Sequence, residues 1–272
     1  GGHLDIMKYF HQKEFSLHIG NDFATSAAAK GGYYDCLVYA HSRGGKWNEM
    51  TLHNAALGGH LKCLQFALKR RCPTDEWTTA YAARGGHLDC LKYLHEHGCV
   101  WESSTPCFAS LQGHLHCLRY AHEHGCPWDA QTTAEASCGD HFDCLQYAYE
   151  HGCLWDDYTT QNAASSGSLA CLQYAHERGC EWTIATTKCA AQNGHLDCLK
   201  YAHEHGCPWD YSTYKAAIDH KRQDCLEYII KEGCPQTTVG SDIIKATLAF
   251  VACCIALYWF ITFYVVDESE SL

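Results

Sequence analysis

Basic residues are in short supply: 20 Lys and Arg stand against 31 Asp and Glu, for a formal net charge of -11. An acidic chain repels phosphate backbones, so nucleic acid is not an expected partner. Proline is scarce, five in 272 residues, and only 19% of residues are charged while 47% are hydrophobic, a balance that excludes disorder. Neither a Gly-x-x-x-x-Gly-Lys-Ser/Thr phosphate loop nor a His-Glu-x-x-His zinc-protease motif occurs. No initiator methionine and no signal-like segment opens the chain, and Gly2-His3-Leu4-Asp5 reads as the middle of a repeat. The expectation is therefore a fragment or processed piece of a longer protein. What the sequence has in excess is cysteine and histidine, 20 of each.

The cysteines are periodic. One series falls at 36, 63, 90, 117, 144, 171, 198 and 225, and a second at 72, 99, 126, 153, 180, 207 and 234, each with a spacing of 27. Leucine follows every member of the first series, and an aromatic comes three residues after it, from Tyr39 and Phe66 to Tyr201 and Tyr228. Alanine recurs at 28, 55, 82, 109, 136, 163, 190 and 217, and threonine at 51, 78, 105, 132, 159, 186 and 213. Columns held in one register define a tandem repeat, with a partial first copy offset by three extra residues.

Each unit reads as two helices. In the unit from Asp129 to Trp155, Thr132 and Thr133 offer hydroxyls to free amides at a helix start. A short helix with Ala136 on its inner face then runs to Gly139. Asp143, Cys144, Leu145, Tyr147 and Ala148 begin a second helix that ends at Gly152, where left-handed geometry is cheap. Apolar residues three and four apart give this second helix a broad stripe, and alanine in the first helix permits close approach of the axes. One such pair cannot bury its own stripe, so stability must come from stacking units into a solenoid.

The segment Met50-Thr51-Leu52-His53-Asn54-Ala55-Ala56-Leu57-Gly58-Gly59-His60 resembles the Thr-Pro-Leu-His-x-Ala-Ala-x-x-Gly-His signature of ankyrin repeats. Gly86-His87, Gly113-His114 and Gly194-His195 carry it in register, and the resemblance covers roughly residues 1–236. Short units of this kind look like the ankyrin sets of giant viruses, protists and algae. The resemblance implies an all-α solenoid that binds proteins, with no enzymatic activity, no cofactor and no small-molecule substrate. Family repeats are nearer 33 residues and include a β-hairpin finger. Here a Cys-Pro-Trp-Asp segment (Cys126 to Asp129, Cys207 to Asp210) stands in its place.

The cysteines and histidines permit two readings. His-x-His-x-Cys sequences such as His95 to Cys99, His122 to Cys126 and His203 to Cys207 offer ligands of the kind zinc takes. That supports an alternative function as a metal-binding or redox-sensing repeat protein. The two cysteines of one unit, however, are separated by roughly 12 Å of helix at ~1.5 Å per residue, beyond the reach of a disulfide. Same-column cysteines in adjacent units are about 10 Å apart, also too far, which leaves open only a bond between different columns of neighbouring units. The expected role is a small buried hydrophobe in a reducing compartment. Histidines are expected at the exposed end of the second helix, where Arg43, Arg70 and Arg178 replace them and a cation favours the helix C-terminus. The tryptophan column at 47, 101, 128, 155, 182 and 209 suits either a ligand cage or a packing wedge, and its register with the core columns favours the wedge.

Constant columns report what the fold needs, and variable ones are where a partner is read. The first helix varies two and three residues after its threonine. Since the resemblance places first helices on a concave, partner-facing side, the candidate protein-binding stripe is Tyr81, Phe108, Glu135, Gln161, Lys188 and Lys215. Plain drift of exposed positions is the competing account.

After Cys234-Pro235 the repeat stops. Residues 246–266, ATLAFVACCIALYWFITFYVV, hold no charge over 21 positions, enough to cross ~30 Å of hydrocarbon. Lys231 and Lys245 precede the span while Asp267, Glu268 and Glu270 follow it, so the repeats are expected to face the cytoplasm. A buried capping helix is the alternative. The expected layout is a solenoid of about nine units over 1–236, a linker at 237–245, a transmembrane helix at 246–266 and an acidic tail at 267–272. The expected function is a membrane-tethered adaptor for an unknown protein.

Overall fold

A computed structural model of the chain describes residues 4–12 and 22–237. The described residues form seventeen α-helices and no strand. A lone helix α1 (Leu4–Gln12) is followed by the pairs α2 (Asp22–Lys30) and α3 (Tyr34–Ser42), α4 (Glu49–Leu57) and α5 (Leu61–Lys69), α6 (Glu76–Arg84) and α7 (Leu88–Glu96), and α8 (Ser104–Leu111) and α9 (Leu115–Glu123). The remaining pairs are α10 (Ala130–Cys138) and α11 (Phe142–Glu150), α12 (Asp157–Ser166) and α13 (Leu169–Glu177), α14 (Ile184–Asn193) and α15 (Leu196–Glu204), and α16 (Tyr211–Asp219) and α17 (Gln223–Lys231). The expected transmembrane segment, 246–266, its linker and the acidic tail lie outside the described residues. Among the described residues no helix is long and apolar enough to cross a membrane.

The even-numbered helices from α2 onward form an inner row and the odd-numbered helices an outer row. Successive inner helices pack along their length, whereas successive outer helices touch far less. Side-chain size explains this. The inner row meets through Ala55, Ala82, Ala109, Ala136, Ala163 and Ala190, all fully buried, and small side chains let axes approach. The outer row carries Leu64, Leu91, Leu118, Leu145, Leu172 and Leu199, also fully buried, with partly buried tyrosines and tryptophans beside them. Each unit is thus a wedge, narrow at the inner helix.

The inner helices are capped by the residue three before the threonine column, and in two units the column completes a capping box: Thr78 and Thr186 accept from the backbone N–H of Asp75 and Thr183. Asp75 accepts from the Thr78 amide at 3.1 Å, Asp156 from Tyr158 at 3.1 Å and Asp210 from Ser212 at 2.7 Å. The threonine hydroxyls one position further on point inward and join units together. Thr133 Oγ1 donates to the Leu154 carbonyl at 3.2 Å and lies 3.2 Å from Thr159 Oγ1, and Thr160 and Thr187 repeat both contacts with the units that follow them. In the unit from Asp129 the reading of Thr132 and Thr133 as caps is corrected: Asp129 accepts from the Gln131 amide, and the buried Thr133 hydroxyl finds its partner in the next unit. Where Pro106 occupies the donor position, the facing Thr132 hydroxyl is left without a partner.

Outer helices begin without a side-chain cap. Histidines at that position reach back to the end of the inner helix one unit earlier: His87 Nε2 donates to the Leu57 carbonyl at 3.1 Å, and His195 to that of Ser165 at 3.0 Å. The ring then lies over a glycine of the earlier unit. Gly59 adopts φ 68, and a Cβ there would sit 2.4 Å from His87 Nδ1. The Gly-His pair of the signature is therefore a joint between units.

Candidate partner-binding surface

The inner helices present their variable positions to solvent on the side away from the outer row. Tyr81, Phe108, Glu135 and Gln161 are half-buried, and Lys188 and Lys215 are exposed. The position two residues after the threonine behaves differently along the stack: His53, Ala80, Cys107 and Ala134 are buried there, while Gln161 is half-buried and Lys188 and Lys215 are exposed. Alanine and cysteine at this position are covered by the neighbouring helix and lysine reaches past it, while His53 is drawn down onto the Asp75 carboxylate.

Only part of the expected stripe comes together as one group. Tyr81 and Phe108 are 6.5 Å apart between ring centroids. Trp77 joins them at 6.0 Å from Phe108, and His53 lies 4.9 Å from Tyr81. The Arg84 guanidinium sits over the Phe108 ring at 5.6 Å, and His53 Nε2 is 2.7 Å from the Asp75 carboxylate. Further along, Glu135 lines a hollow with Gln131, Asp156, Tyr158 and Asn162. Gln161 donates to Cys189 Sγ at 3.7 Å, and Lys215 pairs with Asp219 at 2.7 Å. The stripe therefore divides into an aromatic end and a polar end. Trp77 was not among the expected residues, although its position outside the 27-residue tryptophan column was a legible signal.

Residues 25–105 match the family model for ankyrin repeats, in three copies. These are ankyrin repeats. A crystal structure of the human ASB11 ankyrin repeat domain is also similar, with 20% identity, a TM-score of 0.49, and coverage of 58% of this chain and 84% of that one. No curated protein matches the chain in sequence. The ankyrin units here connect outer to inner helix by a loop without strands, so the β-hairpin finger is absent among the described residues.

Every cysteine among the described residues of the ankyrin stack is a free thiol, and all but Cys138 and Cys189 are buried. Members of the second series are polar joints rather than plain hydrophobes. Cys126 donates its S–H to the Glu102 carbonyl at 3.3 Å, Cys153 to Asp129 at 3.1 Å and Cys180 to Asp156 at 3.2 Å, each 24 residues earlier. Burial pushes these three thiols up to about 12. A reactive sensor thiol needs the opposite shift. Among the described residues no group of three His, Cys, Asp or Glu side chains is placed to hold a metal ion.

The histidines and tryptophans form a ladder on the outer row. The His95 ring stacks on Trp101 at 3.9 Å and 18°, His122 on Trp128 at 4.1 Å and 11°, and His176 on Trp182 at 3.8 Å and 12°. Each also shares a hydrogen bond through Nδ1 with a tyrosine hydroxyl of the next unit: His95 with Tyr120, His122 with Tyr147 and His176 with Tyr201, all at 2.9 Å. Burial, and then a neighbouring histidine, holds the pKa of these three rings below the usual histidine value. These rings are sandwiched between units and only half-exposed, whereas His97, His124 and His205, in the column that Arg43, Arg70 and Arg178 share, are exposed as expected. The tryptophans are packing wedges, each stacked on a ring of its own unit. Three rungs are broken, the first because Phe66 offers His41 no hydroxyl. Leu68 and Tyr149 take the histidine position, and the hydroxyls of Tyr93 and Tyr174 opposite them are buried without a partner.

Proposed function

We propose that this chain is a binding scaffold, not an enzyme, that captures another protein on its inner ankyrin face and is tethered to a membrane by residues 246–266. The observation that carries the binding face is the half-exposed group Trp77, Tyr81 and Phe108, with Trp77 42% exposed. Aromatic side chains bring large contact area at little entropic cost and are enriched at protein interfaces. The cysteine, leucine, alanine and threonine columns are held constant by burial and contacts between units, whereas this face is free to serve a partner. Ankyrin repeats generally are protein-interaction modules.

The tether rests on the uncharged length of 246–266 and on the lysines before and acids after it, which favour a cytoplasmic position for the repeats. Carbonate extraction of membranes, with and without residues 241–272, tests it: retention of the longer form alone supports the anchor, and release of both forms rejects it. The binding face is tested separately by partner capture with the Tyr81→Ala/Phe108→Ala double variant. A partner held equally by parent and variant binds elsewhere.

A further inference from the structure

We infer that the occupant of the aromatic end of the inner face is a cationic segment of the partner protein, one that sets an arginine or lysine over Trp77 beside an apolar anchor. This rests on the reading of the inner face as the binding surface. The first observation is the patch itself. Trp77 is 42% exposed, with Tyr81 and Phe108 half-buried beside it, and Met50, 49% exposed, holds the equivalent position on the neighbouring helix α4; an exposed apolar area of this kind marks an interaction site.

The second observation is the charge around it. Glu49 and Glu76 immediately precede Met50 and Trp77, Glu102 lies just before α8, Asp129 caps α10, and Glu135 follows Phe108 in the same column. Against these acids, Arg84 is the only lysine or arginine on α4, α6, α8 and α10. The same helix face changes sign further on, where Lys188 and Lys215 stand on α14 and α16. An aromatic face carries negative potential above its ring, and carboxylates at its edge deepen it, so a guanidinium or ammonium is the group this patch attracts.

The chain itself supplies the third observation, because Arg84 already sits over the Phe108 ring at 5.6 Å, while Trp77 alongside has no cation over it among the described residues. An acidic partner segment would meet like charge from Glu49, Glu76 and Glu102. An uncharged one would leave the carboxylates unanswered.

The test is selection of a random twelve-residue peptide display library on the full chain, followed by anisotropy titration of the enriched peptides against variants. The expected result is enrichment of Lys- and Arg-bearing peptides that also carry an apolar residue. Their affinity should fall about tenfold with Trp77→Ala and by a similar factor with Glu76→Gln/Glu102→Gln. Circular dichroism confirms that each variant keeps its helices. Enriched peptides that lose affinity with Trp77→Ala but carry no cation, or carry acids, overturn the cationic occupant and leave the inner face standing. Peptides indifferent to both Trp77→Ala and Phe108→Ala overturn the inner face itself, and the inference with it. Absence of any enrichment overturns the inference.

Discussion

The broken rungs of the outer ladder allow its energetics to be measured by repair. Tyr149 occupies a histidine position, stacks on Trp155 at 3.8 Å and 10°, and faces Tyr174 edge-on at 6.1 Å. It has no ring nitrogen to offer, and the Tyr174 hydroxyl is buried and unpartnered. Tyr149→His should restore the contact seen between His122 and Tyr147 at 2.9 Å. A made hydrogen bond is worth about 0.5–1.5 kcal/mol net, and the smaller imidazole gives up a little apolar burial, so the expected gain is about 1 kcal/mol. At this size that raises the melting midpoint by roughly 2–4 °C. Two controls isolate the mechanism. Tyr174→Phe removes a hydroxyl that bonds nothing and should be neutral or slightly stabilising. Tyr147→Phe strips His122 of its partner and should cost about 1–2 kcal/mol. Stacked repeats need not unfold in one step, so urea and thermal midpoints should be compared by two probes. If Tyr174→Phe costs as much as Tyr147→Phe, or Tyr149→His lowers both midpoints, the ladder is not held by these bonds.

The same ladder predicts acid sensitivity. His95, His122 and His176 have folded pKa values below that of the unfolded chain, so below about pH 6.5 the unfolded state binds more protons. Their contribution is whole above that pH and is lost as pH falls through the folded values; a melting midpoint at pH 5.5 equal to or above that at pH 7.5 would refute this. Gly59→Ala combines φ 68 with a Cβ 2.4 Å from the His87 ring, and should cost about 2 kcal/mol or more in urea unfolding; a change under 0.5 kcal/mol would show the joint to be adaptable. Within residues 22–237, an aromatic disulfide reagent at pH 8 should label only Cys138 and Cys189 in the native state, and mass spectrometry of the digest reads the result. Rapid labelling of Cys126 or Cys153 would contradict the buried S–H bonds.

The 27-residue period, the two helices per unit and the need to stack them are all legible in the chain, because each depends on neighbours three, four or 27 residues away. Alanine on the inner helix and glycine at the end of the outer helix act locally: Gly152 adopts φ 85, as its place in the unit demands. Buried cysteine likewise follows from its register with leucine. The assignment of partners is another matter. A Thr133 hydroxyl that satisfies Leu154, a Cys153 thiol that satisfies Asp129 and a His122 ring that meets Tyr147 all cross from one unit to the next, and no periodicity within a unit reveals which groups will meet. The binding stripe divides in the same way. Variation in the sequence marks the columns, but only packing decides that Ala134 is covered where Lys188 is exposed, and that Trp77 joins Tyr81 and Phe108. The sequence by itself determined the repeat and its helices, since these answer to local geometry; the stacked structure alone decided which polar groups pair and which aromatic rings reach solvent, since those depend on a neighbour some 25 residues away in the chain.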